Sequence, residues 1–349
     1  MKLHFTHPYK DNLELNFGQF TQVVGQDQQL KYYIWQLLIW YFGGKRYHEE
    51  DLTLFNQEEP TISSDGSSLK RKFFQVISIS EITDLLEQMV YKKGTTSFEF
   101  LKQNLNTIDV MSDIDEINAR LDSISLKINK RINLSIDNIQ YHTESAYFNS
   151  AQLLTKSFQP YFKFQENNIA FEFVDNEVKF FLFLEMLEQN LKNKTTKILL
   201  VLKNMDDYLT YSSFIKICKK IEVLCELYPY FYVIIFPSNE GYLYATKNNI
   251  EQVNIVSEYV NHFYEFDFLF NRFINQYPSN EIPSERDFLL SISKISGYLF
   301  SKEIEHVSLS NQDLVTIKIL NSLYQYNQKL NYLTRITNPL EMNFLLEKH

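Results

Sequence analysis

Two apolar runs set the architecture of this chain. KILLVL (197–202) and FYVIIF (231–236) are almost uninterrupted in their hydrophobicity, and a helix-length stretch (about 211–227) separates them. A strand of that composition has no polar face to turn to water, so it must be covered on both sides, as in a parallel sheet flanked by helices. The same logic applies upstream. QFTQVV runs into Gly25, KYYIWQLLIWYF (31–42) reads as a buried helix, and Gly43-Gly44 ends it. KFFQVISIS (72–80) alternates as a strand, 177–192 reads as a helix, and HFYEF (262–266) as a further strand. The expected fold class is therefore α/β with a mostly parallel sheet.

Between the two halves of that head the period changes. Ile114, Ile117, Leu121, Ile124 and Ile128 step by three and four, and Ile132, Ile136 and Ile139 extend the stripe. This predicts a seam for a partner helix, as in a two-helix arm, with Ser112 and Asp115 as a capping box at its start. YFKF and IAFEFV (161–164, 169–174) read as a hairpin joined across Asn167-Asn168. The expected organisation is 1–80 and 160–266 for the two parts of the head, 81–159 for an inserted helical arm, and 267–349 for a separate helical C-terminal extension.

Composition narrows the function. With 44% hydrophobic residues in 349, the chain can bury a large core, and its 23 Tyr and 29 Phe exceed what one core needs, pointing to subunit or domain interfaces. The net charge of −9 excludes a surface that coats nucleic acid everywhere, so any polyanion site is a local basic patch. No apolar run approaches a membrane span, and LHFTHPYKDN after Met1 is no secretory h-region, so the expected location is the cytoplasm, away from membranes. Cys218 and Cys225 match no metal or redox spacing and are expected to be reduced core thiols.

The strand–turn–helix at 23–33, VVGQDQQLKYY, is laid out like a phosphate-binding P-loop. Such a loop needs two glycines to wrap phosphate in backbone N–H groups, a lysine to neutralise it, and a small hydroxyl for Mg²⁺. Gly25 and Lys31 have the right separation, but Leu30 replaces the second glycine and Tyr32 the hydroxyl. The expectation is a vestigial loop without functional ATP chemistry. Asp206 and Asp207, after KILLVL, stand near where a Mg²⁺ carboxylate would be, although an ordinary loop or helix cap explains them as well.

Charge switches sign along the arm. Asp113, Asp115 and Glu116 are followed by Arg120, Lys127, Lys130 and Arg131, with Asp122 the one acid among them. Complementing the helix dipole would produce this order. So would a basic stretch facing a phosphate backbone, with the acids binding Ca²⁺. Ca²⁺ wants six to eight oxygens, more than one helix offers, which brings in Glu144 on the returning segment. Lys45-Arg46 and Lys70-Arg71-Lys72 are further candidates for a polyanion path. No H-E-x-x-H, G-x-S-x-G or Cys–His zinc grouping occurs, so no hydrolase constellation is expected.

GQFTQVVGQDQQLKYYIWQLLIWYFGGKRY (18–47), the inserted arm and KILLVLKNMDDYL together resemble the Csn-two family, over roughly residues 1–265. These are accessory spacer-acquisition proteins of type II-A CRISPR loci in streptococci and related bacteria, and the length suits the long branch. The resemblance implies an ABC-ATPase-like or SMC-like head with a degenerate P-loop and a helical leg. It also implies homotetrameric rings that bind Ca²⁺ and hold double-stranded DNA by its ends in a Lys/Arg-lined hole. Such proteins have no established catalytic activity and assist the CRISPR integrase and effector nuclease. The DNA residues (Arg120, Lys127, Lys130, Arg131, Lys45, Arg46) and Ca²⁺ residues (Asp113, Asp115, Glu116, Asp122, Glu144) come from charge placement, not from the family. Two other readings stay open: a P-loop ATPase using Lys31 with Asp206 or Asp207, and a scaffold whose isoleucine stripe binds a protein.

Overall fold

The structure, a computed structural model, describes residues 1–349 apart from 133, 239, 240, 280, 302, 308, 327, 328, 333–338 and 347–349. Contacts divide the chain into two compact units, Met1–Ile82 with Thr195–His349, and Thr83–Lys194. In the first unit β1 (Lys2–Phe5) and β2 (Leu13–Asn16) pair antiparallel, and their alternation buries Leu3, Phe5, Leu13 and Leu15. β3 (Phe20–Val24) leads through Gly25 into α1 (Gln28–Phe42), whose apolar residues Leu30, Ile34, Leu37 and Leu38 share a core with Leu199, Val201 and Ile234. The short helix α2 (Glu49–Leu52), β4 (Ile62–Ser64), β5 (Ser67–Ser68) and β6 (Gln75–Ile79) follow.

The second unit starts with α3 (Ile82–Met89) and α4 (Thr96–Asn104), the latter capped where the Thr95 hydroxyl accepts from the Phe98 N–H. The arm helix α5 (Ile108–Ile132) begins a turn earlier than the Ser112 box would place it. Alongside Asn118 to Asn129 the described returning segment is extended, not helical. After Ile132 the chain makes a hairpin of β7 (Leu134–Ile136) and β8 (Ile139–Tyr141), closed by Asp137 and Asn138 at φ 48° and 68°. Two consecutive left-handed residues are the requirement of a two-residue hairpin turn, and Asp and Asn tolerate them well. The last members of the isoleucine stripe therefore lie in strands.

The return runs extended along α5, tied by polar side chains. Asn129 Nδ2 and Ser125 Oγ donate to the Thr143 carbonyl at 2.8 and 2.6 Å, and Asn118 both donates to and accepts from the Phe148 backbone. An amphipathic stripe reports only that a helix has an apolar side; these asparagines and serines on the adjacent face decided what lies against it.

α6 (Ser150–Ser157), the hairpin β9 (Phe162–Phe164) and β10 (Asn167–Ile169), and α7 (Asn176–Lys192) complete this unit. The hairpin turns at Gln165-Glu166, so Asn167 and Asn168 are strand residues. α7 packs on α4, and Asn190 Nδ2 donates to the Thr96 carbonyl at 2.9 Å. That packing takes residues 160–194 out of the head, which resumes at 195 rather than 160.

The head continues with β11 (Ile198–Lys203), α8 (Tyr211–Leu227), β12 (Phe231–Phe236), β13 (Val253–Val256) and β14 (Val260–His262). They form a six-stranded sheet in the order β14-β13-β3-β12-β11-β6, parallel except for β14. The strand expected at 262–266 shares only His262 with β14, and α9 (Phe266–Gln276) begins at its other end. α10 (Glu285–Ile295), β15 (Glu303–Val307), α11 (Asn311–Leu323), β16 (Lys329–Tyr332) and α12 (Pro339–Leu346) follow. This extension does not stand apart from the head. Phe273, Phe288, Ile317 and Leu320 share one buried cluster with Val24 and Ile255 of the sheet. Cys218 and Cys225 are buried on α8, and burial pushes both thiols far above the usual range, leaving them unreactive.

Candidate functional site

The carboxyl ends of β3, β11 and β12 meet where an open α/β sheet places its ligands. Here the residues expected to form a vestigial phosphate loop have other partners. Gly25 adopts φ +116°, and a Cβ on it would lie 2.2 Å from the Val256 carbonyl oxygen. Close approach of β13 is enough to require glycine. The Asp27 carboxylate accepts from the Leu30 N–H at 2.9 Å, so an acid caps α1 where a phosphate would sit. Lys31 is 6% exposed and its Nζ donates to the Pro237 carbonyl at 3.0 Å.

Asp206 and Asp207 are tied in the same manner. They lie in a short 3₁₀ turn (Met205–Asp207), and Ser238 joins them to the end of β12. The Ser238 N–H donates to Asp206 Oδ1 at 2.9 Å, while its hydroxyl lies 2.8 Å from both Asp206 Oδ2 and Asp207 Oδ1. Ser296 and Gly297, just after α10, line the remaining space, which amounts to only ≈ 10 Å³. Among the described residues that leaves no room for a small molecule, whose sites typically occupy about 300–1,000 Å³. Sequence reasoning could not see Ser238, Ser296 or Gly297 here, because each arrives from a distant segment.

On the arm, 100° per residue sorts the α5 side chains into three faces. Asn118, Asp122, Ser125 and Asn129 hold the return segment. Ile117, Ile124 and Ile128 form a solvent-facing apolar strip. Arg120, Lys127 and Arg131 share a third face with Asp113 and Glu116, and Lys130 stands beside it. Arg120 reaches Glu116 one turn back at 3.5 Å, whereas Lys127, Lys130 and Arg131 are exposed and make no ion pair among the described residues.

The five acids chosen for Ca²⁺ do not converge. Asp122 accepts from the Ser145 hydroxyl and from Tyr147 Oη (2.9 Å), which raises the Tyr147 pKa. Asp113, Asp115, Glu116 and Glu144 point to solvent, and among the described residues no group of three or more His, Cys, Asp or Glu stands ready to hold a metal. Of the second basic pair, Lys45 Nζ lies 3.3 Å from the Trp40 ring centroid and 3.2 Å from Asp51 Oδ1, while Arg46 is exposed. Arg71 is held by Glu59 and by the Lys45 carbonyl.

Residues 5–345 match the family model described as CRISPR-associated protein Csn2, subfamily St. The chain belongs to the Csn2 family. A solved structure, that of Stu0660 of Streptococcus thermophilus, is similar to it with a TM-score of 0.90 and 40% identity, covering 99% of each chain. No curated protein sequence matches. The Csn2 match takes in the C-terminal region that the sequence resemblance left out, consistent with its shared core. No described helix is long and apolar enough to cross a membrane.

Proposed function

We propose that this Csn2 family member is a non-catalytic, ring-forming protein that holds double-stranded DNA by its ends, without sequence preference, during CRISPR spacer capture. It works in the cytoplasm as a homotetramer beside the integrase and effector nuclease, and Ca²⁺ supports the assembly. The observation that carries this reading is the cationic face of α5. Lys127, Lys130 and Arg131 are exposed and unpaired among the described residues of a chain whose net charge is −9. In a symmetric oligomer that patch repeats about the axis, so several subunits sum their fields while the acidic exterior stays soluble. Nothing in the arm presents a recognition helix in a helix-turn-helix setting, which favours backbone contact over base readout.

The test compares wild type with Lys127→Ala/Lys130→Ala/Arg131→Ala on unrelated duplexes across a salt series. Each phosphate that the variant no longer neutralises should flatten the slope of log affinity against log salt by about 0.9. An unchanged slope and affinity would move the DNA path elsewhere, with Arg46 the next position to try.

A second reading has its own observation. Ile117, Ile124 and Ile128, together with Ile136 and Ile139 of the hairpin, are all more than a third exposed. Such a strip suits a scaffold whose arm binds protein, and it is equally what subunit contacts of a ring would use. The closed cleft beside Lys31 weighs against the ATPase reading.

A further inference from the structure

A second feature lies at the opposite, amino-terminal end of the parallel sheet, where β6 and β11 begin. There the Gln75 N–H donates to the Lys197 carbonyl at 2.8 Å, holding the two strand starts together. Beside them opens a groove of about 590 Å³. Its floor is Phe42, Phe73 and Phe74, and its rim is Lys70, Lys72 and Lys197. Among the described residues no carboxylate lines it. Phe74 and Phe42 are buried and meet edge-to-face at 5.1 Å, and Phe73 meets Phe74 at 4.8 Å, so the floor is rigid.

Three lysines around an apolar floor, with no ion pair to any of them among the described residues, are unusual on an acidic protein. Together they would attract an anion, while the floor favours a hydrophobic side chain over water. A nucleic acid satisfies only half of this. Lys197 Nζ already sits 4.1 Å from the Phe73 centroid, so an ammonium occupies a ring face that a base would need for stacking. Duplex phosphates would reach the rim and leave the floor wet. An extended acidic peptide satisfies both demands, with its carboxylates on the lysines and one aliphatic side chain against the half-buried Phe73 and the lysine stems, a contact that does not need the covered ring face.

We propose that this lysine-rimmed, phenylalanine-floored groove docks an acidic segment of a partner protein through a hydrophobic anchor side chain. The site uses neither the arm nor its cations, and because Lys70 and Lys72 are also candidates for a polyanion path, the duplex measured in parallel separates peptide docking from DNA contact. The experiment is fluorescence anisotropy on the full-length protein with a labelled Asp-Glu-Phe-Leu-Asp-Glu peptide. A control peptide carries serine in place of both anchors, and a labelled duplex is measured in parallel.

Saturable binding near 10–100 µM, a common range for short motifs on the scale of about −5.5 to −7 kcal/mol, is expected. Serine replacement and Lys70→Glu/Lys72→Glu should each weaken it at least tenfold. Lys70 and Lys72 are exposed, so that variant should fold, and its melting curve should match wild type. Lys197→Met should weaken the peptide in the same direction. Absence of saturation by about 1 mM, equal binding of the serine peptide, or indifference to charge reversal would overturn the proposal. So would a duplex affinity that falls tenfold in Lys70→Glu/Lys72→Glu while peptide binding holds.

Discussion

Lys31 Nζ donates to the carbonyl of Pro237 at 3.0 Å, across the cleft where a P-loop lysine would reach for phosphate. The side chain is buried, and this contact joins it to the protein's own backbone. The lysine acts there as a fastener between α1 and the end of β12.

Lys31→Ala should therefore act on stability and not on nucleotide chemistry. Removing the donor leaves the Pro237 carbonyl without it, at a cost of about 1–3 kcal/mol in a buried setting. Urea unfolding should show that decrease, and phosphate release from ATP with Mg²⁺ should stay below about 1 s⁻¹ in both proteins. Faster turnover that disappears in the variant would reverse the reading.

Gly25→Ala should be more damaging than a glycine-to-alanine change in an ordinary loop. The new Cβ would meet the Val256 carbonyl oxygen at 2.2 Å, and φ +116° strains any L residue. Strain and displacement of β13 together should cost about 2–5 kcal/mol. A urea midpoint within error of wild type would show that the close approach of β13 is not what requires glycine.

Millimolar Ca²⁺ should raise the melting temperature of the assembled protein by mass action, and Asp113→Ala/Asp115→Ala/Glu116→Ala should respond less. One described chain gathers no three-ligand group, so the shift should grow with protein concentration as subunits bring further oxygens. A melting curve that Ca²⁺ leaves unmoved, or a variant that responds like wild type, would remove these acids from consideration.

His262 on β14 should make the head sensitive to mild acid. Burial, with Lys2 assisting, holds its pKa below the ordinary 6.5. A folded pKa below the unfolded one means that the unfolded chain binds the proton more readily. The contribution to stability is thus complete above about pH 6.5 and is lost as pH falls through 6.5 towards the folded value. Stability should decline between pH 7 and 5, and His262→Gln should make that decline shallower. His7, lowered by its own burial, keeps the slope from vanishing. Identical slopes in wild type and variant would assign the effect to other groups.

The sequence by itself determined the sheet and the order of the elements around it. KILLVL and FYVIIF could not face water on either side, and the pairing of Ile198 with Phe231 onward is the parallel register that such runs demand. The exposed cations Lys127, Lys130 and Arg131 were equally legible, since charge on a long helix seldom turns inward. VNIV at 253–256 was too short to stand out, yet β13 is what makes Gly25 indispensable. The stripe at Ile114 to Ile128 gave the helix but not its neighbour. Asn118, Ser125 and Asn129 bind an extended return there, through hydrogen bonds to residues 14 to 30 positions away. The closing of the cleft was decided only in three dimensions. Gly25, Lys31, Ser238 and Gly297 are spread over most of the chain, and no local pattern records that they meet. Local periodicity fixes which face of an element is apolar; what fills the space beside that face depends on long-range packing, which only the tertiary structure supplies.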